Sequence, residues 1–306
     1  VHPAPSIIAF TTLSGFGYGL AAVLGLGLLD PGALSTKLAY LLAFILISAG
    51  LLSSTLHLGN PQRAWRALSQ WRSSWLSREG VMAIVTFLPL VWSGWAAVIE
   101  GRYAVVPGVL VGAAAAVTVY CTAMIYASLR SVDAWYSGLT PACYLLFAAT
   151  GGVLLGGLFR IAAGMPASGM AIAGIVLLAG AWGVKIAWWQ RLRALRSSST
   201  PETATGLGFI GRVRLFERPH TNENYLTREM GFHIARKHAA KLSRLAVMVG
   251  GLAPAILLVL AAALGQGALA FVLQLVAVLL FGLGVVTERW LFFAEARHAV
   301  MNYYGG

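Results

Sequence analysis

Of 306 residues, 58% are hydrophobic and only 10% are charged, against about 25% charged in an ordinary soluble domain; this excludes a water-soluble globule. The net charge is +12, but the basic residues gather between apolar runs instead of covering one face. Membrane topology accounts for them, and nucleic acid is not an expected partner.

A helix needs about 20 mainly apolar residues to cross the hydrocarbon core. Eight runs qualify, near 6–29, 38–58, 79–99, 107–129, 143–164, 169–190, 245–265 and 269–290. The expected fold is therefore all-α, a polytopic bundle of about eight transmembrane helices forming one domain over 1–306. The first run, after His2-Pro3, is longer than the core of a cleaved signal peptide and reads as a span. Gly15 and Gly19, or Gly152 and Gly156, sit four apart and would let helix backbones approach closely.

The connection between the second and third runs, 59–78, is unlike a simple loop. After Pro61 it turns amphipathic: Trp65, Leu68, Trp71 or Arg72, and Trp75 recur at helical spacing with arginines between them. This predicts a helix lying in the interface plane. His57 closes the second span and Glu79 opens the third, so both belong to the same membrane boundary, where they would form the polar end of a pocket. A lipid-soluble quinone suits such a pocket, because its tail enters from the bilayer while its head needs hydrogen bonds and protons. An imidazole donates to a quinone oxygen, a carboxylate exchanges protons with water, and Arg63 or Arg66 supplies a charge-assisted hydrogen bond. The competing reading is that His57 caps a helix, Glu79 pairs with Arg78 or a neighbouring arginine, and the tryptophans, Trp65 and Trp75 among them, belong to an aromatic belt.

The fourth to sixth runs carry little polar chemistry. Cys121 and Cys143 fit no metal or disulfide framework, and no metal site is expected. Of the six histidines only His57 belongs to a span, so a transmembrane haem pair is not expected, nor is an iron–sulfur cluster in this chain. Arg160 and Lys185, near span ends, would snorkel to the interface. The segment 191–244 is a basic loop opened by a turn-rich Ser-Ser-Ser-Thr-Pro stretch at 197–201. Its charges suit anionic lipid or an acidic partner protein. With Arg289 and Arg297 assigned to the tail, 18 of the 22 Lys and Arg fall on the side holding both termini. The positive-inside rule makes that side cytoplasmic.

The run from His57 to Glu79, with Val1-His2-Pro3-Ala4-Pro5-Ser6 and Met301-Asn302-Tyr303-Tyr304-Gly305, resembles the membrane anchor subunits of the DMSO reductase family of molybdenum enzymes. The most specific part is His-Leu-Gly-x-Pro-x-Arg-Ala at His57 to Ala64, followed by Leu-Ser-x-Glu at Leu76 to Glu79. The resemblance implies quinol handling by the histidine and the glutamate, and it matches Arg63 to the family arginine. The wording from Gln70 to Glu79 looks most like the anchors of cytoplasmic quinone-linked sulfite dehydrogenases. That likeness implies a molybdopterin catalytic subunit and a ferredoxin-like iron–sulfur subunit as partners. Sulfite electrons would pass through the clusters to ubiquinone or menaquinone at a bacterial inner membrane. Arg212, Arg214, Arg236 and Lys237 are the residues expected to dock the iron–sulfur partner. The alternatives are an anchor of a DMSO reductase-type complex that oxidises quinol, a structural tether without quinone chemistry, and a transporter. The transporter is disfavoured because no repeat is visible and no span carries a mid-membrane Asp or Glu.

Overall fold

The computed structural model describes residues 1–56, 60–195, 200–217 and 238–304. Among the described residues, eight helices are long and apolar enough to span a membrane: α1 (Pro5–Gly25), α2 (Leu34–Thr55), α3 (Trp75–Val98), α4 (Val105–Ala127), α5 (Leu139–Ala162), α6 (Ser168–Ala194), α8 (Ala239–Leu264) and α9 (Ala268–Ala294). A single turn, α7 (Pro201–Thr205), precedes α8, and α8 contains a π-helical turn at Met248–Leu252.

Two spans carry the interior. α1 packs on α2, α4, α5 and α9, while α5 also holds α4, α6 and α9. Both are buried over most of their length, whereas the other spans turn apolar side chains such as Leu88, Val106 and Leu279 outward, as a lipid-facing surface requires. The α1–α5 seam is close because Gly19 and Gly152 meet backbone to backbone, and a Cβ on either would collide with main-chain atoms of the other helix. Gly250 and Gly284 do the same for α8 and α9, and Trp182 Nε1 donates to the Gly250 carbonyl exposed by the π turn (2.9 Å). Gly15 makes only a loose contact with Ala148, whereas a Cβ on Gly156 would press on the Val23 side chain.

With eight spans both termini share one end of the bundle, and the structure ties them together there. The Val1 nitrogen donates to the Ala296 carbonyl (2.6 Å), and the Ala299 nitrogen to that of Ser131 (2.9 Å).

Several boundaries differ from expectation. α6 runs on to Ala194 and α8 starts at Ala239, so the basic connection is shorter than 191–244. A hydropathy window ends at the last apolar residue, but Arg191 and Arg193 continue the helix, and Arg191 caps the carbonyls of Asp133 and Tyr136. The turn-rich stretch ends in a helical turn, since Thr200 and Thr203 form a reciprocal capping box at the start of α7.

Candidate functional site

The 3-10 helix Pro61–Gln70 is what the described residues retain of the interfacial helix expected over 59–78. It stops early because the next residues fold back onto it. The Ser77 hydroxyl donates to the Ala67 carbonyl, and the Arg78 guanidinium donates to the carbonyls of Trp71 (3.0 Å) and Arg72 (2.7 Å). The chain therefore enters α3 at Trp75, making Trp75 part of a span. Its ring meets Tyr120 edge-on and lies under the Arg78 guanidinium, 4.4 Å from the ring centre. Arg63, Trp65 and Arg66 stay on the outer surface of the 3-10 helix, with Arg66 over the Trp65 ring at 5.5 Å.

Glu79 is the residue of this region that goes inside. It lies one turn into α3, only 5% exposed, and its Oε1 has no hydrogen-bond partner. Among the described residues it forms no ion pair, and Arg78, the partner of the competing reading, is occupied by carbonyls. Around it, within electrostatic reach, are Tyr18 of α1 and Cys121 and Tyr126 of α4. The Tyr18 hydroxyl is also buried and unpartnered. A buried carboxyl with a spare oxygen is costly unless something supplies the missing bond, and this orphan fits the polar head of a quinone. His57 lies outside the described residues, as do Arg236 and Lys237.

Sequence reasoning missed a second polar centre. Lys185 of α6 is fully buried, and Glu288 and Arg289 of α9 are 0% and 2% exposed. Lys185 Nζ stands 2.6 Å from Glu288 Oε1, and Arg289 Nη1 stands 3.4 Å from Glu288 Oε2. Neither contact has the alignment of a hydrogen bond, so the ions touch without being fully satisfied. Aromatic faces complete the surroundings: Lys185 lies 3.7 Å from the Trp188 ring centre, and the Arg289 guanidinium 3.6 Å from that of Tyr144.

These positions correct three expectations. Lys185 does not snorkel; its side chain turns inward to Glu288. Arg289 belongs to the core and not to the tail, so it leaves the loop charge count. And a span does carry a buried glutamate: Glu288 lies within the expected run 269–290, near its end, and packing turns it inward. The available signal was an adjacent Glu-Arg pair within reach of the last apolar run, with Lys185 just before a Trp-Trp pair.

Between Glu79 and this cluster lies Tyr126, in electrostatic range of both Glu79 and Arg289. A small void beside it is lined by Thr11, Ser14, Thr122, Tyr144 and Arg289, with room for about one water. At the termini end, a cavity of about 280 Å³ is lined by Ser131, Asp133, Glu295 and Arg297. Glu295 accepts from Trp189 Nε1 (3.0 Å). Burial raises its carboxyl above the ordinary range, against the opposing pull of Lys185 and the Trp189 bond. Of the expected docking residues, Arg212 and Arg214 are exposed, on a segment held by the Val213 nitrogen donating to Glu202 (3.2 Å).

Eight apolar helices packed around a largely apolar core that holds two buried polar centres define a multi-pass membrane protein. The family model of the DMSO reductase anchor subunit (DmsC) matches residues 1–294, and the chain belongs to that family. It is 31% identical to the C subunit of the sulfite dehydrogenase of Allochromatium vinosum, across 99% of each protein. It is 30% identical to the C subunit of the anaerobic dimethyl sulfoxide reductase of Escherichia coli strain K12, across 40% of this chain and 44% of that one. The protein is thus a membrane anchor subunit of an oxidoreductase complex.

Proposed function

We propose that this anchor passes electrons from sulfite oxidation to membrane quinone, with Glu79 and His57 at the polar end of the quinone pocket. The observation that carries the reading is the buried Glu79 carboxyl, whose Oε1 is left without a partner at the head of α3. Quinone supplies the acceptor chemistry, taking up two electrons and two protons to become quinol. Glu79 holds a proton at the pocket wall and delivers it to the head group, His57 donates to the other oxygen, and Arg63 and Arg66, on the outer face of the 3-10 helix, add positive charge at the pocket mouth that favours the reduced, charged head. Trp75 walls the pocket toward lipid, and Trp65, on the outer face of the 3-10 helix, seats that helix at the interface.

Electrons reach the site from a ferredoxin-like iron–sulfur subunit, itself fed by a molybdopterin catalytic subunit. Arg212, Arg214, Arg236 and Lys237 help to orient that partner by charge. The full-length likeness to a sulfite dehydrogenase subunit favours sulfite as the source. The shorter likeness to a dimethyl sulfoxide reductase subunit supports a second reading, in which the same pocket oxidises quinol. The excess of Lys and Arg at the termini end supports a cytoplasmic position for the termini, the pocket and the partners in a bacterial inner membrane.

The test is quinone reduction by the assembled complex at matched levels of every subunit. His57→Ala and Glu79→Gln are each expected to abolish or strongly slow quinone-linked turnover while dye-linked substrate oxidation by the partner subunits continues. Wild-type quinone turnover in both variants would make these residues structural and the anchor a tether.

A further inference from the structure

Glu79 is only 5% exposed, so a reaction that consumes protons there gains from a supply line. The buried charges of α6 and α9 have no role in the pocket described above. As a clasp between helices they are poorly made, because two ions touch without hydrogen-bond alignment and Arg289 Nε has no partner. Buried ionic groups of this kind contribute less to holding helices together than apolar residues of the same volume. Contacts and electrostatic reach do link them in sequence. At its outer end is the 280 Å³ cavity with Glu295 in its wall. Lys185 lies within electrostatic reach of Glu295 and touches Glu288. Glu288 touches Arg289, which walls the one-water void together with Thr122 and Tyr144. Tyr126 stands within reach of both Arg289 and Glu79.

We propose that Glu295, Lys185 and Glu288 form a proton inlet, running from the termini-end cavity through the buried ion cluster to a water beside Arg289 and on toward Glu79. Its destination rests on the quinone reading; its route does not. A proton taken from water by Glu295 passes to Lys185 as a neutral amine, restoring the ammonium. Lys185 in turn protonates the Glu288 carboxylate, and Glu288 releases the proton to the water in the void. Each relay group returns to its starting state. The proton ends on the quinone oxygen, and the electrons come from the iron–sulfur partner. Arg289 keeps its charge throughout and orients the water without carrying the proton.

The first arm of the test needs no quinone. Radiolysis of bound water oxidises side chains beside it, whatever their solvent exposure. Trp188, Tyr144 and Phe292 are buried along the line and are expected to be oxidised. The second arm uses the complete complex. Glu295→Gln, and the triple variant Lys185→Met, Glu288→Leu and Arg289→Met, which removes the whole cluster and strands no charge, are expected to slow quinone reduction about tenfold. The solvent deuterium isotope effect should rise, and formate should restore part of the rate to Glu295→Gln. Dye-linked oxidation should not change. Absence of oxidation along the line, or unchanged turnover and isotope effect in both variants, overturns the inlet. A wild-type complex that does not reduce quinone overturns the proposed function instead, and the radiolysis arm still decides the route.

Discussion

The head of α3 and the α6–α9 cluster place glutamates at similar burial in opposite company. Glu79 has no counter-ion among the described residues and one unpartnered oxygen, whereas Glu288 is pressed between Lys185 and Arg289. A buried carboxyl without a counter-ion costs the fold something and is free to meet a ligand. A paired one is neutralised where it stands, and its removal strands the cations. Equal burial therefore does not mean equal consequence.

The largest effect follows from that asymmetry. Lys185→Ala or Glu288→Ala leaves an uncompensated charge in the core and should destabilise the protein by about 3–5 kcal/mol, read as a lowered unfolding midpoint in detergent. Glu79→Gln removes no ion pair, so its midpoint should stay within about 0.5 kcal/mol of wild type. Equal losses from the two glutamates would break the comparison. Quinone turnover sharpens it from the other side, since loss of a general acid costs about 10²-fold or more. Glu79→Gln should show that loss while remaining fully folded.

Much of this architecture is legible in the sequence because lipid imposes long apolar runs, and all eight spans appear where their hydropathy puts them. The motif from His57 to Glu79 likewise singles out a carboxyl that proves to be buried. Helix ends were not legible, because helices continue past the last apolar residue when polar residues cap carbonyls, as Arg191 does. The second centre is hidden for another reason, since Lys185, Glu288 and Arg289 all lie inside the expected runs but close to their ends. A lysine near a run's end and a Glu-Arg pair at its edge read as interfacial until packing shows all three turned inward, a fact of tertiary contact that periodicity does not carry.

Smaller effects test the surface. Arg212→Glu with Arg214→Glu should weaken association with the iron–sulfur partner about tenfold and steepen its salt sensitivity, measured by copurification across salt, without moving the unfolding midpoint. Smallest is the pH dependence from Glu295. Because its folded-state pKa is raised by burial, the folded protein holds a proton the unfolded chain has released. Stability should therefore fall as pH rises from the ordinary carboxylate range through the raised value. Glu295→Gln should flatten that slope in thermal unfolding series.

The most direct test of the central claim is to irradiate the assembled wild-type complex with a photoreactive quinone and map the adduct. The account predicts crosslinks within 57–80, displaced by excess unmodified quinone. Displaceable adducts confined to other segments, such as α8 or the outer face of α9, would contradict it.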